Sequence, residues 1–232
     1  MRLPWSRRIE PPLPVMEIDD VVRDTFGRPL EAHSFEPINR RSWVRSQKVP
    51  IREEVGVRAL KGHQFVPAWS ISLDFVPHVT KTGRIAWHRT AKQHRADLGV
   101  DPLDDPKRLP ADRLVVWGTR QRGEVRKAFD RSAGLAVELA ETWFGRITDV
   151  PSLIPLFEEA ERQPAVRFGF DNYVQHRLAY AFVLARTGNM DRARTELDRW
   201  CQRHLFGQFG PPEDTRSAAA EKLHELIDAV AP

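Results

Sequence analysis

Between Pro67 and Pro77 the chain alternates, with Trp69, Ile71, Leu73 and Phe75 on one side and Ser70, Ser72 and Asp74 on the other. A repeat of two is that of a β-strand, and the two prolines bracket it as Ala68 to Val76. One face of this strand is expected to be buried and the other wet. The same period holds across Phe35 to Thr90, and the flanking segments repeat at 3.6, so a sheet is expected between helical regions.

Other strands are expected at Arg41 to Lys48 around Trp43, at Glu54 to Leu60 with Val55, Val57 and Ala59, and at Arg84 to Arg89 with Ile85 and Trp87. Lys61-Gly62-His63 and Thr82-Gly83 read as turns. Links this short leave no room for crossover helices, so the strands form an antiparallel meander, to which Leu114 to Trp117 can add a fifth. Before the sheet, Ile18, Val21, Val22 and Phe26 predict a helix over Glu17 to Leu30, ended by Gly27 and Pro29.

After the sheet, a helical stripe from Val125 to Ile147 spans Glu124 to Ile147. Further helices are expected at Ser152 to Arg162, Asp171 to Thr187 with Asp171 as N-cap, Met190 to His204 and Glu213 to Val230. The fold class is therefore α+β: a four- or five-stranded antiparallel meander packed by helices, then an all-helical C-terminal region. Three parts are expected: an extended proline-rich arm over residues 1–16, a sheet domain over 17–150 and a helical bundle over 151–232. Tyr180, Ala181, Leu184, Gly188, Ala193 and Leu197 fit one tetratricopeptide unit, but a single copy reads as an ordinary helical hairpin.

Charge is distributed unevenly. The 232 residues carry a formal net charge of +4, but residues 1–39 sum to −2, residues 40–131 to +10 and residues 132–232 to −4. The middle segment is the expected contact for an acidic partner. No apolar run has the length of a membrane span or of an export signal, and the one cysteine, Cys201, cannot form an intramolecular disulfide. A cytoplasmic protein with no membrane contact is expected.

Catalytic patterns are not evident. The chain has no nucleophile elbow, no phosphate-binding glycine loop and no zinc-ligand spacing, so no cofactor and no metal are assigned. Asp101, Asp104 and Asp105 lie among prolines and read as turn residues. Cys201 beside Trp200 reads as a buried, inert thiol. His63, His78, His88 and His94 all lie in the basic segment, and a hairpin can bring His78 near His88 with Asp74 as a carboxylate. Hydrogen-bonding histidines are the simpler reading. The remaining constellation mixes cations and indoles, with Arg41, Arg45, Arg58, Lys61, Arg84, His88 and Arg89 as the candidate binding residues. Nucleic acid can be bound by such a surface, but Trp69 keeps aliphatic company, which marks it as core and not as a stacking platform.

The helix before Trp43-Val44-Arg45, the strand ending at Lys61-Gly62, the regular strand ending at Phe75-Val76-Pro77, and Trp87 ahead of a tryptophan-bearing helix resemble, in order and spacing, the bacterial domain-of-unknown-function family numbered 4304. The likeness covers about residues 17–150. It implies a small α+β fold without an established enzymatic activity, in a family some of whose members accompany toxin-immunity loci, and it assigns no site residue. The leading expectation is a binding or regulatory protein, in the manner of an immunity inhibitor, whose basic region contacts an acidic protein. The alternatives are a nucleic-acid-binding protein and an enzyme with an unrecognised site near His78 and His88.

Overall fold

The computed structural model describes residues 13–103, 109–119, 122–163, 176–208 and 210–232. Most of the expected arm, Asp104, Asp105 and the N-cap Asp171 lie outside these residues. The first helix, α1 (Val15–Ala32), buries Ile18, Val21, Val22, Phe26 and Leu30. It carries Gly27 and Pro29 inside it and ends at Ala32, two residues beyond the expected end at Leu30.

Four strands follow as sequential antiparallel neighbours: β1 (Glu36–Pro37), β2 (Ser42–Lys48), β3 (Ile51–Leu60) and β4 (Gln64–Leu73). The β3–β4 turn is the expected one, with Gly62 at φ 77° and His63 at φ 57°. Tight left-handed turns favour glycine at such angles. Strand β4 begins four residues earlier than the alternation suggested and ends at Leu73, where Val76 N–H turns back to the Leu73 carbonyl. Trp69, Ile71, Leu73 and Phe75 are all buried. Trp43, Val55 and Trp69 stand in register across three strands.

Two features depart from the expected meander. The segment Ile85–Trp87 is a strand, β6, but it pairs with β5 (Pro77–Val79) in a separate hairpin. The main sheet is instead completed beyond β4 by β7 (Leu98–Val100) and by β8 (Val116–Trp117), which pairs with the start of β4. The second departure is the wet face, because Ser70 and Ser72 are buried and Asp74 is partly so. The chain after β6 folds over that side of β4, as the approach of Arg95 N–H to Ser72 Oγ shows.

The other face carries the core. A short helix α2 (Ala111–Leu114) leads to β8, and the long α3 (Arg122–Phe144) lies against the sheet and α1. Rings interlock there: Phe26 stacks on Trp43 with centroids 6.2 Å apart, and Phe129 meets Phe65 edge-on at 5.8 Å. Helices α4 (Leu153–Arg162), α5 (described from His176 to Arg186), α6 (Met190–His204) and α7 (Glu213–Ala229) complete the chain. Helices α5 and α6 form the expected hairpin about Gly188, at φ 81°. One continuous apolar cluster runs from Ile18 to Ile227 through both the sheet and the helical region. Among the described residues, no helix is long and apolar enough to cross a membrane.

The sheet meets the end of α3 through charge as well as oil. Glu53, 1% exposed on the core face of β3, takes Arg45 Nε at 2.5 Å and Lys48 Nζ at 3.0 Å. Arg45 also reaches Glu141 of α3 at 2.9 Å and lies over the rings of Phe35 and Phe144. Lys48 donates to the Phe144 and Ile147 carbonyls, at 3.3 and 2.9 Å, and so caps the helix C-terminus.

Two stability predictions follow from these contacts. Glu53→Ala strands Arg45 and Lys48 beside a hole, and urea unfolding is expected to show a loss of about 3 kcal/mol, against under about 1 kcal/mol if water already screened the cluster. Trp69 is buried with its indole N–H unbonded among the described residues. Trp69→Phe therefore forfeits no hydrogen bond and should cost far less than Trp69→Ala, for which about 3–5 kcal/mol is expected in the same assay.

Candidate functional site

The expected binding residues separate into two groups once their partners are seen. Arg41 pairs with Asp19 of α1 and lies over the Phe65 ring. Arg45 is turned into the core, and Arg58 pairs with Asp101. Lys61 is exposed at the β3–β4 turn. Arg84, His88 and Arg89 flank strand β6, Arg84 at the tip of the β5–β6 hairpin and His88 and Arg89 at its base.

Arg52, which the sequence reading passed over, forms a two-point ion pair with Asp74, both distances 2.8 Å, and donates to the Arg89 carbonyl. The base of the hairpin is thereby tied to β3. Arg89 folds its guanidinium over Trp87, 4.1 Å from the ring centroid, and donates to the Asp74 carbonyl. The tip is seated too: a Cβ on Gly83 would stand 2.5 Å from Thr215 Oγ1 of α7, and Gly83 sits at φ 80°. Only glycine meets both demands without strain.

Residues 75–96 contain no Asp or Glu but five basic side chains, Lys81, Arg84, Arg89, Lys92 and Arg95. Lys81, Arg84, Arg89 and Lys92 are exposed, and none forms an ion pair among the described residues. Lys81, Arg84, Arg89 and Lys92 thus form an exposed cationic group on a stretch of chain without acids.

The hairpin brings His78 and His88 together, as the sequence suggested, with His88 Nε2 2.6 Å from His78 Nδ1. His88 Nδ1 faces the Gln93 carbonyl, which can only accept, so that nitrogen carries the hydrogen. His88 Nε2 and His78 Nδ1 share one hydrogen between them. Burial, with Arg95 and His88 alongside, holds His78 down to about 4, so His78 is uncharged at neutral pH. Asp74 does not join them, because Arg52 occupies its carboxylate. No cluster of three or more His, Cys, Asp or Glu among the described residues could hold a metal ion.

Two carboxylates on the covered side of the sheet went unnoticed in the sequence. Burial raises the Glu54 carboxyl, but His94, at 2.6 Å, with Ser70 and Ser42, overcomes this and leaves it below its ordinary range. Asp97 accepts the Leu73 N–H at 2.7 Å, and burial pushes it up to about 8. Asp97 is thus protonated at neutral pH. Cys201, as expected, is buried, with its thiol pushed up to about 12. Sequence offered no signal for Asp97, since its environment is made by strands 24 residues away.

Comparison with protein-family models, curated proteins and solved structures finds no match to this chain.

These titrations set a pH dependence. Asp97 binds its proton more tightly folded than unfolded, so its contribution is complete below about 3.8 and is lost as pH rises through about 8. His78 behaves oppositely, its contribution being present above 6.5 and lost as pH falls through about 4. Between 4 and 6.5 the two oppose, and above 6.5 Asp97 acts alone. Stability should fall by on the order of 2 kcal/mol from pH 6.5 to 8. Asp97→Asn keeps an acceptor for the Leu73 N–H and should flatten that limb in urea titrations at each pH; a limb of unchanged slope would place the titration elsewhere.

Proposed function

We propose that this chain is a binding or regulatory protein of the cytoplasm that docks an acidic protein surface through its β5–β6 hairpin, in the manner of an immunity inhibitor. The observation that carries this reading is the fate of the cations. Arginines of the sheet are neutralised internally, Arg41 by Asp19, Arg45 by Glu53 and Glu141, Arg52 by Asp74, and Arg58 by Asp101. Those of the hairpin are left exposed on an acid-free stretch. Unopposed cations of this kind steer an acidic partner and exclude a basic one.

The hairpin is anchored at both base and tip, so its charges are held in place before any partner arrives, and little ordering entropy is lost on docking. A protein surface fits better than a nucleic acid because the Arg89 guanidinium already covers one face of Trp87, the face a base would stack on. The likeness of residues 17–150 to the family numbered 4304, some of whose members accompany toxin-immunity loci, supports the same reading.

The test is charge reversal. Full-length protein and a Lys81→Glu, Arg84→Glu, Arg89→Glu, Lys92→Glu variant are used to capture partners from the native host at low and high salt. An acidic protein retained by the first, released by salt and absent from the second is the expected result. Equal capture by both overturns the proposal, as does a low-salt gel shift of DNA or RNA that the reversal abolishes.

A further inference from the structure

A separate cleft lies on the opposite flank of α3. Its walls are the end of α2 with β8, which supply Asp112, Arg113, Val115 and Trp117, and one stripe of α3, which supplies Ala128, Arg131, Leu135 and Glu138. The spacing of that stripe places all four α3 residues on one helix face. Ser132 Oγ donates to the Leu114 carbonyl at 2.8 Å and pins the walls together. The cleft is open to solvent and has a volume of about 500 Å³, within the range of small-ligand sites.

Three observations distinguish this cleft from ordinary surface. Trp117 is 41% exposed, whereas Trp43 and Trp69 are 0% and 2% exposed. The four charged residues around it, Asp112, Arg113, Arg131 and Glu138, form no ion pair among the described residues, in a chain whose other arginines are mostly paired. Between the charges, Val115, Ala128 and Leu135 supply an apolar floor.

We propose that this cleft binds a zwitterionic aromatic ligand of dipeptide size. The chemistry follows from the walls. An exposed indole takes a planar ring in offset or edge contact. Two guanidiniums suit a carboxylate, which one of them can grip with two hydrogen bonds. Two carboxylates suit an ammonium group, and the lining sums to no net charge, so a ligand carrying one charge of each sign is matched and a polyanion is not. This site does not depend on the hairpin reading.

The test uses full-length protein and the dipeptide Ala-Phe, which has free termini and no indole of its own. Titration followed by indole emission should show a saturable change in the micromolar to millimolar range, absent from Trp117→Phe. Arg131→Gln with Arg113→Gln, and blocking of both peptide termini, should each weaken binding by about tenfold or more, the size expected for losing one charge-assisted contact. All of these substitutions are at exposed positions, and unchanged melting temperatures verify that the fold persists. The proposal is overturned by no saturable response, by an equal response in Trp117→Phe, by a blocked dipeptide binding as well as the free one, or by adenosine monophosphate binding more tightly than the dipeptide.

Discussion

A carboxylate with almost no exposure, Glu53, determines how the two layers of this protein meet. A charge in that position is tolerable only when it is matched on the spot, and Arg45 and Lys48 of the neighbouring strand do so. Both cations also reach α3, one through Glu141 and the other through the carbonyls at the helix end. The angle and height of α3 on the sheet are thus fixed by directional contacts, whereas the aromatic packing of Phe26, Trp43, Phe65 and Phe129 is tolerant of small shifts. Everything that α3 presents on its far side, the Trp117 cleft included, inherits that placement.

Much of this architecture was legible because apolar periodicity is a local property. The alternation at Trp69, Ile71, Leu73 and Phe75 needs only its own strand to be read, and so does the stripe along α3. What the chain does at long range was not legible. Ser70, Ser72 and Asp74 looked like a solvent face, and nothing within the strand announces that His94, Arg95 and Asp97 will fold back over it. The strand at Ile85 to Trp87 was recognised as a strand, yet its partner was misassigned. The turn at Leu73 to Val76 redirects the chain out of the sheet, leaving β4 free to pair with β7 and β8. Helix α1 keeps Gly27 and Pro29 inside it and buries Phe26 and Leu30 against the core, so tertiary packing overrides the local signal to stop.

The candidate site shows the same division. A sum of +10 over residues 40–131 marks the basic segment but says nothing about which charges remain available. The partners that neutralise the sheet arginines come from 22 residues away for Arg41, from Glu53 on the adjacent strand for Arg45, and from Asp101 for Arg58. The hairpin lacks acids in its own sequence, and its exposed Lys81, Arg84, Arg89 and Lys92 form no ion pair among the described residues. That first half was visible as a stretch without Asp or Glu, and it would have narrowed seven candidates to Arg84, His88 and Arg89, with Lys81 and Lys92 added.

The histidine pair makes sense in the same electrostatic setting. In a hairpin crowded with cations, burial keeps His78 uncharged, and its imidazole shares a hydrogen bond with that of His88. This imidazole contact also ties the two strands of the hairpin together, since His88 is held at its far nitrogen by the Gln93 carbonyl. The protein thus separates two roles that basic residues often combine. Its histidines and Arg52 shape the hairpin, and the exposed lysines and arginines set the positive field at its surface.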